Sequence, residues 1–411
     1  MRWQNYQKID PAWQAEHSEY HPIVLQLLYN RGITKAEEIK EFLGDEQVWH
    51  DPFLFRNMQA ACDLIIRHIK DGNKIVVYGD YDADGVTSSV VLVEVLNILK
   101  AKAEVWIPSR VLHGYGMNKD IIKELAERDI KLIISVDNGI RSKEEVALAK
   151  ELGMEVIVTD HHTAPSDEND LPDCLIIDPI LEQETYPFKY LSGVGVAFKL
   201  ASALTELTKI DDKTKQNIKE KVLDVLAIGT VADCVKLYGE NRLFVRQGLE
   251  MINKRRRLGL VELIRVAGIK DKINEWNIGW QISPRLNVAG RLDHANTAFE
   301  LLITNNKEEA QSLAKRLHEK NIARQEITNK IAEQCQAMVE KDQQDDSILV
   351  CVEPESDEPW PEGVIGLVAG RLTERYSKPA LVISKLDTPG SNSKFKGSAR
   401  SIEQFSVVDA L

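Results

Sequence analysis

The sequence predicts an α/β protein in which a doubly wound parallel sheet is joined by a long helix to a second, smaller α/β domain. Three observations support this fold class. Short β-branched runs alternate with helical stretches between residues 74 and 178, one uninterrupted helical pattern covers 307–341, and two further strand-like runs follow it. Strands that alternate with helices of this length form parallel βαβ units.

The first part of the chain contains the runs predicted to form the larger sheet. These five strands are residues 75–79, 103–107, 131–136, 155–159 and 174–178. Asn118 and the capping box Ser142-x-x-Glu145 each precede a helical stretch between strands. Gly72 is the expected C-cap of a helix before the first strand, and a mostly helical region follows at about 194–268.

The long helical pattern at 307–341 has a narrow apolar stripe and contains neither Pro nor Gly, which suits a connector between two lobes. Strands are predicted at 347–352 and 380–384, with a helix after Gly363 between them. Since Leu411 ends the sequence without a turn or cap, we expect this last domain to be incomplete. The predicted regions are an N-terminal helical segment (1–70), the domain of the larger sheet with a helical extension (71–270), a linking segment with the connector helix (271–345) and the second domain (346–411).

Composition argues against a generally basic nucleic-acid coat, because the net charge is −12 and the pI about 5.4. Residues 251–330 are the exception, with 15 Lys and Arg against 9 Asp and Glu, a net charge of +6. The five cysteines form no C-x-x-C pair, so neither a disulfide framework nor a structural zinc site is indicated. With no apolar signal core and no membrane-length apolar run, the expected location is the cytoplasm.

Acidic and histidine residues follow three of the predicted strands. They occur as Asp80-x-Asp82-x-Asp84, as Asp137-Asn138-Gly139 and as Asp160-His161-His162. Because parallel strands end at one edge of a sheet, these side chains are expected to meet there. Asp233, at the end of an apolar helical run, supplies a further candidate carboxylate. Oxygen ligands with one or two imidazoles suit hard divalent metal ions.

Each motif also has a structural interpretation. The Asp-rich segment suits a turn that closes a strand, Asn138-Gly139 is an ordinary turn dipeptide, and Asp233 suits a helix end. Two adjacent histidines are harder to place in a core, because each ring needs polar partners. Together the residues supply enough ligands for two octahedral Mn²⁺ or Mg²⁺ ions, which suit hydrolysis of phosphate esters. Zinc is disfavoured because carboxylates dominate and thiolates are absent from the motifs.

Taken together, the motifs resemble those of the DHH phosphoesterase family. The segments that carry the resemblance are Gly79 to Gly85, Asp137-Asn138-Gly139, Asp160-His161-His162, Val231-Ala232-Asp233, Ser192-Gly193-Val194-Gly195 and Ser283 to Arg291. Near the end, Gly363-Val364-Ile365-Gly366, Gly370-Arg371-Leu372 and Gly397-Ser398-Ala399-Arg400 resemble the family's accessory DHHA1 domain. The resemblance covers essentially the whole chain.

The resemblance implies two metal sites. One would be held by Asp84, Asp137, His161 and Asp233, and the other by Asp82 with Asp137 bridging. It implies a catalytic set of His162, Asp137 and Asp82, in which His162 contacts the scissile phosphate or supports that site; Asp80 and Asp160 would be supports. Many members have a histidine where this chain has Tyr78, so one or two bound ions are both compatible with the sequence.

Candidate contacts to the nucleic-acid backbone include several arginines in Gly- and Ser-rich contexts. The candidates are Arg110, Tyr115, Arg285, Arg291, Arg371, Ser398 and Arg400. Trp276 and Trp280 are predicted to pack in the core, with base stacking as the alternative, and residues 254–257 to form a solvated helix end.

The resemblance implies a metal-dependent exonuclease that degrades single-stranded DNA from the 5′ end to mononucleotides, in DNA repair and recombination. The implied partners are single-stranded DNA, a single-strand-binding protein and a RecQ-type helicase, with no membrane and a monomeric state. Two rivals stay open: a DHH phosphatase of short oligonucleotides, and a non-catalytic DNA-binding scaffold of the same fold.

Overall fold

The computed structural model describes residues 5–44, 49–109, 114, 116–292, 296–355, 358–386 and 394–410. The strands are β1 Lys74–Tyr78, β2 Lys102–Trp106, β3 Ile130–Val136, β4 Glu155–Thr159, β5 Leu175–Ile177, β6 Leu349–Val352, β7 Ala380–Leu386 and β8 Lys394–Arg400. The helices of the first half are α1 Pro11–Glu16, α2 Pro22–Tyr29, α3 Ala36–Leu43, α4 Met58–Lys70, α5 Ala83–Ile98, α6 Lys119–Glu127, α7 Lys143–Glu151, α8 Gly193–Leu207 and α9 Asp212–Ala232.

The remaining helices complete the helical extension of the first lobe and build the linking region and the second lobe. They are α10 Gly239–Asn253, α11 Leu258–Val266, α12 Glu275–Asn277, α13 Ser283–Asn287, α14 Ala289–Leu292, α15 Asn296–Ile303, α16 Lys307–Asp342, α17 Glu362–Tyr376 and α18 Val407–Ala410. A π-helical turn, Ile278–Ile282, joins α12 to α13. No helix among the described residues is long and apolar enough to span a membrane.

The larger sheet has the strand order β2-β1-β3-β4-β5, and all its pairs are parallel. One face packs against α4, α5, α8 and α9, and the opposite face against α6 and α7. Alternation along β1 produces this division: Val77 faces the first core, while Val76 and Tyr78 face the second. The order reverses between β1 and β3, and such switch points form ligand crevices at the carboxyl ends of the strands.

The second lobe is a three-stranded sheet in which β6 and β7 are parallel and β7 and β8 antiparallel. Helix α16 belongs to both lobes. Its first half contributes Ala310, Ala314 and Leu317 to the main core, and its second half contributes residues such as Ile331 and Cys335 to a separate core with α17 and the small sheet. Between Leu317 and Ile327 the helix contributes no apolar side chain to either core.

The structure confirms the predicted fold class, and each predicted strand of the larger sheet appears within one residue of its expected limits. The connector helix is found at Lys307–Asp342. The domain boundaries beyond these elements stay predictions.

Three expectations about individual side chains are wrong. Ser142 stands at the N-cap of α7, but its side chain makes no capping hydrogen bond. Arg257 is buried and bonded to Glu94 and Asp224 instead of being solvated. Trp276 and Trp280 are 59% and 71% exposed, so neither packs in the core.

Candidate metal centre

The motif residues gather at the carboxyl edge of the larger sheet, around the β1/β3 switch point. Three sets have ligand atoms that all lie within 4.8 Å of one another. These sets are Asp84, His161 and Asp233; Asp137, His161 and His162; and Asp80, Asp82 and Asp137. Residues that are separated by up to about 150 positions in sequence therefore share one small volume.

Asp84 is held between two helix N-termini. It lies in the first turn of α5, and its carboxylate accepts hydrogen bonds from the backbone amides of Gly193 (2.7 Å) and Val194 (3.0 Å), where α8 begins. Amides at a helix start stabilise negative charge. Burial, together with Asp233 and Asp82, nevertheless raises the pKa of Asp84 well above its ordinary value. A nearby cation would relieve this repulsion.

Asp137 takes the left-handed backbone conformation directly after β3, with φ of +63°. Its amide continues the ladder by donating to the Thr159 carbonyl oxygen at 3.0 Å, so the side chain is held at the sheet edge. Gly193 is required beside it, because a Cβ there would collide with the Asp137 carboxylate. Burial, together with Asp84 and other carboxylates, raises the pKa of Asp137 well above its usual range.

His161 lies at the centre of the cluster. Its Nε2 is 3.1 Å from Asp137 Oδ1, 3.6 Å from Asp233 Oδ2 and 3.9 Å from Asp84 Oδ2. Burial, together with His162, lowers the pKa of His161 to about 4, so the ring is neutral at pH 7. Burial and Asp82 raise the pKa of Asp233 to about 7.

The donor set fits a divalent cation. Asp137 Oδ1 and His161 Nε2 are buried and have no hydrogen-bond partner among the described residues. An unpaired buried carboxylate oxygen facing a neutral imidazole nitrogen is costly unless a cation lies between them. Asp84 and Asp233 complete a set of three carboxylates and one imidazole, which suits Mn²⁺ or Mg²⁺.

The second predicted position is built around Asp82. One oxygen of Asp82 caps α5 by accepting from the amides of Asp84 (2.9 Å) and Gly85 (3.0 Å). Tyr78 is buried in the core on the α6/α7 face and donates from its hydroxyl to the Gly116 carbonyl oxygen at 3.3 Å. Burial raises the pKa of Tyr78, so it stays a phenol. The number of ions stays a prediction.

Asp160 orients His162. Its Oδ1 accepts from the amides of His161 and His162 and lies 2.7 Å from His162 Nδ1, and its Oδ2 accepts from the Ile140 amide at 2.9 Å. Burial alone would raise the pKa of Asp160, but the hydrogen bond and charge of His162, together with the backbone amides of Ile140 and His161, outweigh burial and lower it. Burial alone would lower the pKa of His162, but the hydrogen bond to Asp160 and the charges of Asp160, Asp233 and Asp80 together outweigh burial and raise it. His162 is thus a positioned proton donor at the edge of the cluster.

The predicted backbone-binding residues lie in different settings. Arg110 and Tyr115 lie outside the described residues. Arg291 donates to the Gly363 carbonyl oxygen at 2.8 Å, which joins the linking segment to α17. A Cβ at Gly366 would lie 2.8 Å from Ser398 Oγ and 3.3 Å from Arg400 Nη2, so this glycine keeps the space before both groups open.

Sequence reasoning missed two residues near the site and one arginine that accompanies the predicted backbone contacts. Asn287 accepts from the Ala83 amide at 2.7 Å and so holds the Asp82 loop from a distant segment. Asp178, at the end of β5, has a buried Oδ2 without a partner among the described residues. Arg324, on α16, lies near Arg285 and Arg371. The only signal for Asp178 was its place after a fifth strand.

Comparison with known proteins assigns the family. Residues 74–230 match the N-terminal domain model of the DHH family. The chain is 33% identical over 96% of its length to the single-stranded-DNA-specific exonuclease RecJ of Escherichia coli, of which it covers 68%. It belongs to the RecJ family. The Bacillus subtilis RecJ exonuclease is 39% identical over the whole chain, which spans half the length of that relative.

A solved RecJ structure shows the same fold. The crystal structure of exonuclease RecJ bound to manganese superposes with a TM-score of 0.73 at 31% identity, covering 87% of this chain and 85% of the other. That RecJ protein binds a metal of the kind that the donor set of the present chain suits. Family membership and site geometry therefore both indicate a site for a divalent metal ion.

Proposed function

We propose that this chain is a Mn²⁺- or Mg²⁺-dependent exonuclease that hydrolyses single-stranded DNA from the 5′ end to mononucleotides. The observation that carries the proposal is the pair Asp137 Oδ1 and His161 Nε2, buried 3.1 Å apart without hydrogen-bond partners among the described residues. The names of its RecJ relatives support single-stranded DNA as substrate. The 5′ polarity rests on the family resemblance.

The side chains divide the work between charge and proton transfer. Asp84, Asp137, His161 and Asp233 would hold one ion, and Asp82 with Asp137 a second. Bound divalent ions acidify water and offset charge on a phosphate. His162, held through Nδ1 by Asp160, presents its other ring nitrogen to donate a proton or hydrogen bond to a phosphate oxygen. Carboxylates this close together need the cation before they can all ionise.

The proposal extends to the surroundings of the protein. Single-strand-binding protein and a RecQ-type helicase as partners, a monomeric state, a cytoplasmic location and a role in repair and recombination follow from the family resemblance. The chain spans half the length of its B. subtilis relative. That it has the exonuclease activity of the full-length relative is therefore also part of the proposal.

The test is Asp137→Asn, which keeps the shape of the side chain but removes its charge. We expect nuclease activity on a 5′-phosphorylated single strand to fall by at least about 10³-fold, because each bound metal contributes several kcal/mol of transition-state stabilisation. Release of mononucleotides is followed by chromatography in Mn²⁺. Circular dichroism checks that the variant is folded.

Asp173→Asn is the matched control, since this aspartate is exposed and pairs with Lys150 at the surface. Near-wild-type activity in folded Asp137→Asn protein would contradict the proposal. Faster hydrolysis of a dinucleotide than of a long strand would favour the short-oligonucleotide phosphatase, and DNA binding without cleavage in Mn²⁺ would favour the scaffold.

A further inference from the structure

Two tryptophans are presented to solvent on a segment that packs against α9, the helix that ends at Asp233. Trp276 is 59% exposed and Trp280 is 71% exposed, on α12 and the π-helical turn that follows it. Exposed tryptophans are unusual, because each leaves a large apolar surface in water. Asn277 bonds Gln281 at 2.8 Å across the same turn, so the segment that carries the indoles is braced.

The segment packs against the helix that carries a candidate metal ligand. A Cβ at Gly279 would lie 3.8 Å from Cγ1 of Val231, which precedes Asp233 by two residues at the end of α9. Trp280 is the next residue after Gly279. The tryptophan segment therefore packs against the part of α9 that leads into Asp233.

Three arginines link the tryptophan segment to α16 and α17. Arg285 donates to the Gln281 carbonyl oxygen (2.6 Å) and to His318 Nδ1 (3.2 Å), so it is fixed to both the tryptophan segment and α16. Arg324 donates to Asn321 Oδ1 at 2.7 Å, and Arg371 donates to Asn329 Oδ1 at 2.6 Å. Each of these acceptors is uncharged.

The three guanidinium groups have no carboxylate partner among the described residues. Within the described part of the chain, none forms an ion pair with a carboxylate. Burial, together with Arg371 and Arg285, lowers the pKa of Arg324, and burial lowers that of Arg285. Cations that repel one another along α16 fit a ligand with several negative charges.

We propose that Trp280, with Trp276 beside it, stacks on bases of a bound single strand, while Arg324 joins Arg285 and Arg371 in holding its phosphates. This inference rests on the proposed function, because it assigns the strand of that substrate to a surface. Aromatic faces beside unpaired cations are the two components that bind single-stranded nucleic acid without reading its sequence. An acidic protein partner would use the cations but would not need bases.

The first experiment separates stacking from charge. Binding of a labelled strand of about 12 nucleotides is measured by fluorescence anisotropy in EDTA, so that neither metal nor cleavage is required. Trp280→Ala is expected to weaken binding of the ordinary strand about tenfold or more, and Trp280→Phe to retain most of the affinity. Tyr6→Ala, which removes an aromatic ring that is 73% exposed, is the matched control and leaves binding unchanged.

A strand of the same length in which every nucleotide is abasic completes this test. The wild-type protein is expected to bind the abasic strand more weakly than the ordinary strand. The Trp280→Ala variant is expected to bind the abasic strand with the same affinity as the wild-type protein. Equal losses for Trp280→Ala on both strands, or no loss on either, would overturn the stacking assignment.

The second experiment concerns Arg324. Arg324→Ala should reduce the slope of log K against log salt concentration by about one, the value expected for one lost phosphate contact. Arg375→Ala is the control. Arg375 lies one turn after Arg371 on α17, but it already has a carboxylate neighbour, Glu340 of α16. An unchanged slope for Arg324→Ala would overturn its assignment. If the wild-type protein binds the strands with the expected differences but does not cleave DNA in Mn²⁺, the nuclease proposal is contradicted and the strand-binding proposal is retained.

Discussion

At the scale of single residues, burial governs the chemistry of the metal centre. Asp84, Asp137 and Asp233 all have raised pKa values, chiefly because the protein withholds water from them and secondly because they face other carboxylates. His161 is affected in the opposite direction and is neutral. The metal-free cluster therefore holds protons that a cation must displace.

Metal affinity should consequently depend on pH. Burial and Asp82 raise the pKa of Asp233 to about 7, so this carboxyl is protonated below that pH and ionised above it. We expect Mn²⁺ affinity to rise with pH through this range, by about tenfold per unit for each proton displaced. Isothermal titration calorimetry at pH 6 and pH 8 measures the change, and a constant affinity would contradict the prediction.

Asp178 allows a second prediction about a single residue. Burial raises its pKa to about 8, so the folded state retains a proton that the unfolded state loses near pH 4. The free energy of unfolding should therefore fall as pH rises from about 4 to 8. Asp178→Asn removes this effect and should stabilise the metal-free protein at pH 8 by on the order of 2 kcal/mol, with little change at pH 4.

Urea unfolding at the two pH values measures the effect of Asp178→Asn. Asp173→Asn serves as the control, because that carboxylate is fully exposed. Equal stabilisation by Asp178→Asn at both pH values would show that the benefit does not come from the buried carboxyl.

At the scale of elements, the start of α8 holds the site together. Its first two amides bind Asp84, and the absence of a side chain at Gly193 leaves room for Asp137. The sequence indicated both aspartates, because each follows an apolar strand. It offered no sign that the Ser192-Gly193 segment would pack against them, because that contact joins residues 109 positions apart.

Gly193→Ala should displace the Asp137 carboxylate without unfolding α8, because alanine is a good helix former. We expect Mn²⁺ affinity to fall by at least tenfold, which corresponds to about 1.4 kcal/mol. Calorimetric titration gives the affinity, and circular dichroism the helix content. Gly370→Ala is the control, because a Cβ there would meet no atom within 4 Å.

Arg257 ties three helices together. Arg257 directly precedes α11. Its guanidinium donates to Glu94 on α5 at 3.0 Å and to Asp224 on α9 at 2.8 Å. Arg257→Ala removes the buried partner of Asp224 and leaves Glu94 with the half-exposed Lys221, so it should destabilise the fold by about 3 to 5 kcal/mol. Arg256→Ala, at a solvated neighbour, should change it by less than about 0.5 kcal/mol. Similar midpoints for both variants in urea would contradict this account.

The run of basic residues at 254–257 and the two tryptophans show where sequence patterns fail. Four consecutive cations are typical of a solvated surface. Nothing in the local sequence shows that the last of them, Arg257, forms buried ion pairs with Glu94 and Asp224. Helically spaced tryptophans look like core residues, because periodicity reports which face they share and not what covers that face. In both cases the deciding partner is distant in sequence.

At the scale of the whole molecule, the two lobes are linked by one helix and by a series of close contacts. Alternating strands and helices predicted the larger lobe, and a long pattern without Pro or Gly predicted the connector. The relation between the lobes was beyond sequence reasoning, because it depends on backbone contacts. Gly290 packs against the Tyr81 carbonyl, and a Cβ at Gly363 would lie 2.6 Å from the Arg291 carbonyl oxygen.

The hydrogen bond from the Ala83 amide to Asn287 can be used as a probe of the contact between the metal-site loop and the linking segment. Ala83 begins α5, so its amide has no partner within the helix and donates across 204 positions of sequence instead. Its resonance in a nuclear magnetic resonance spectrum should therefore shift when the linking segment moves, while amides deeper in α5 stay still. A label introduced at this one backbone position would report any displacement of the linking segment from the candidate active site.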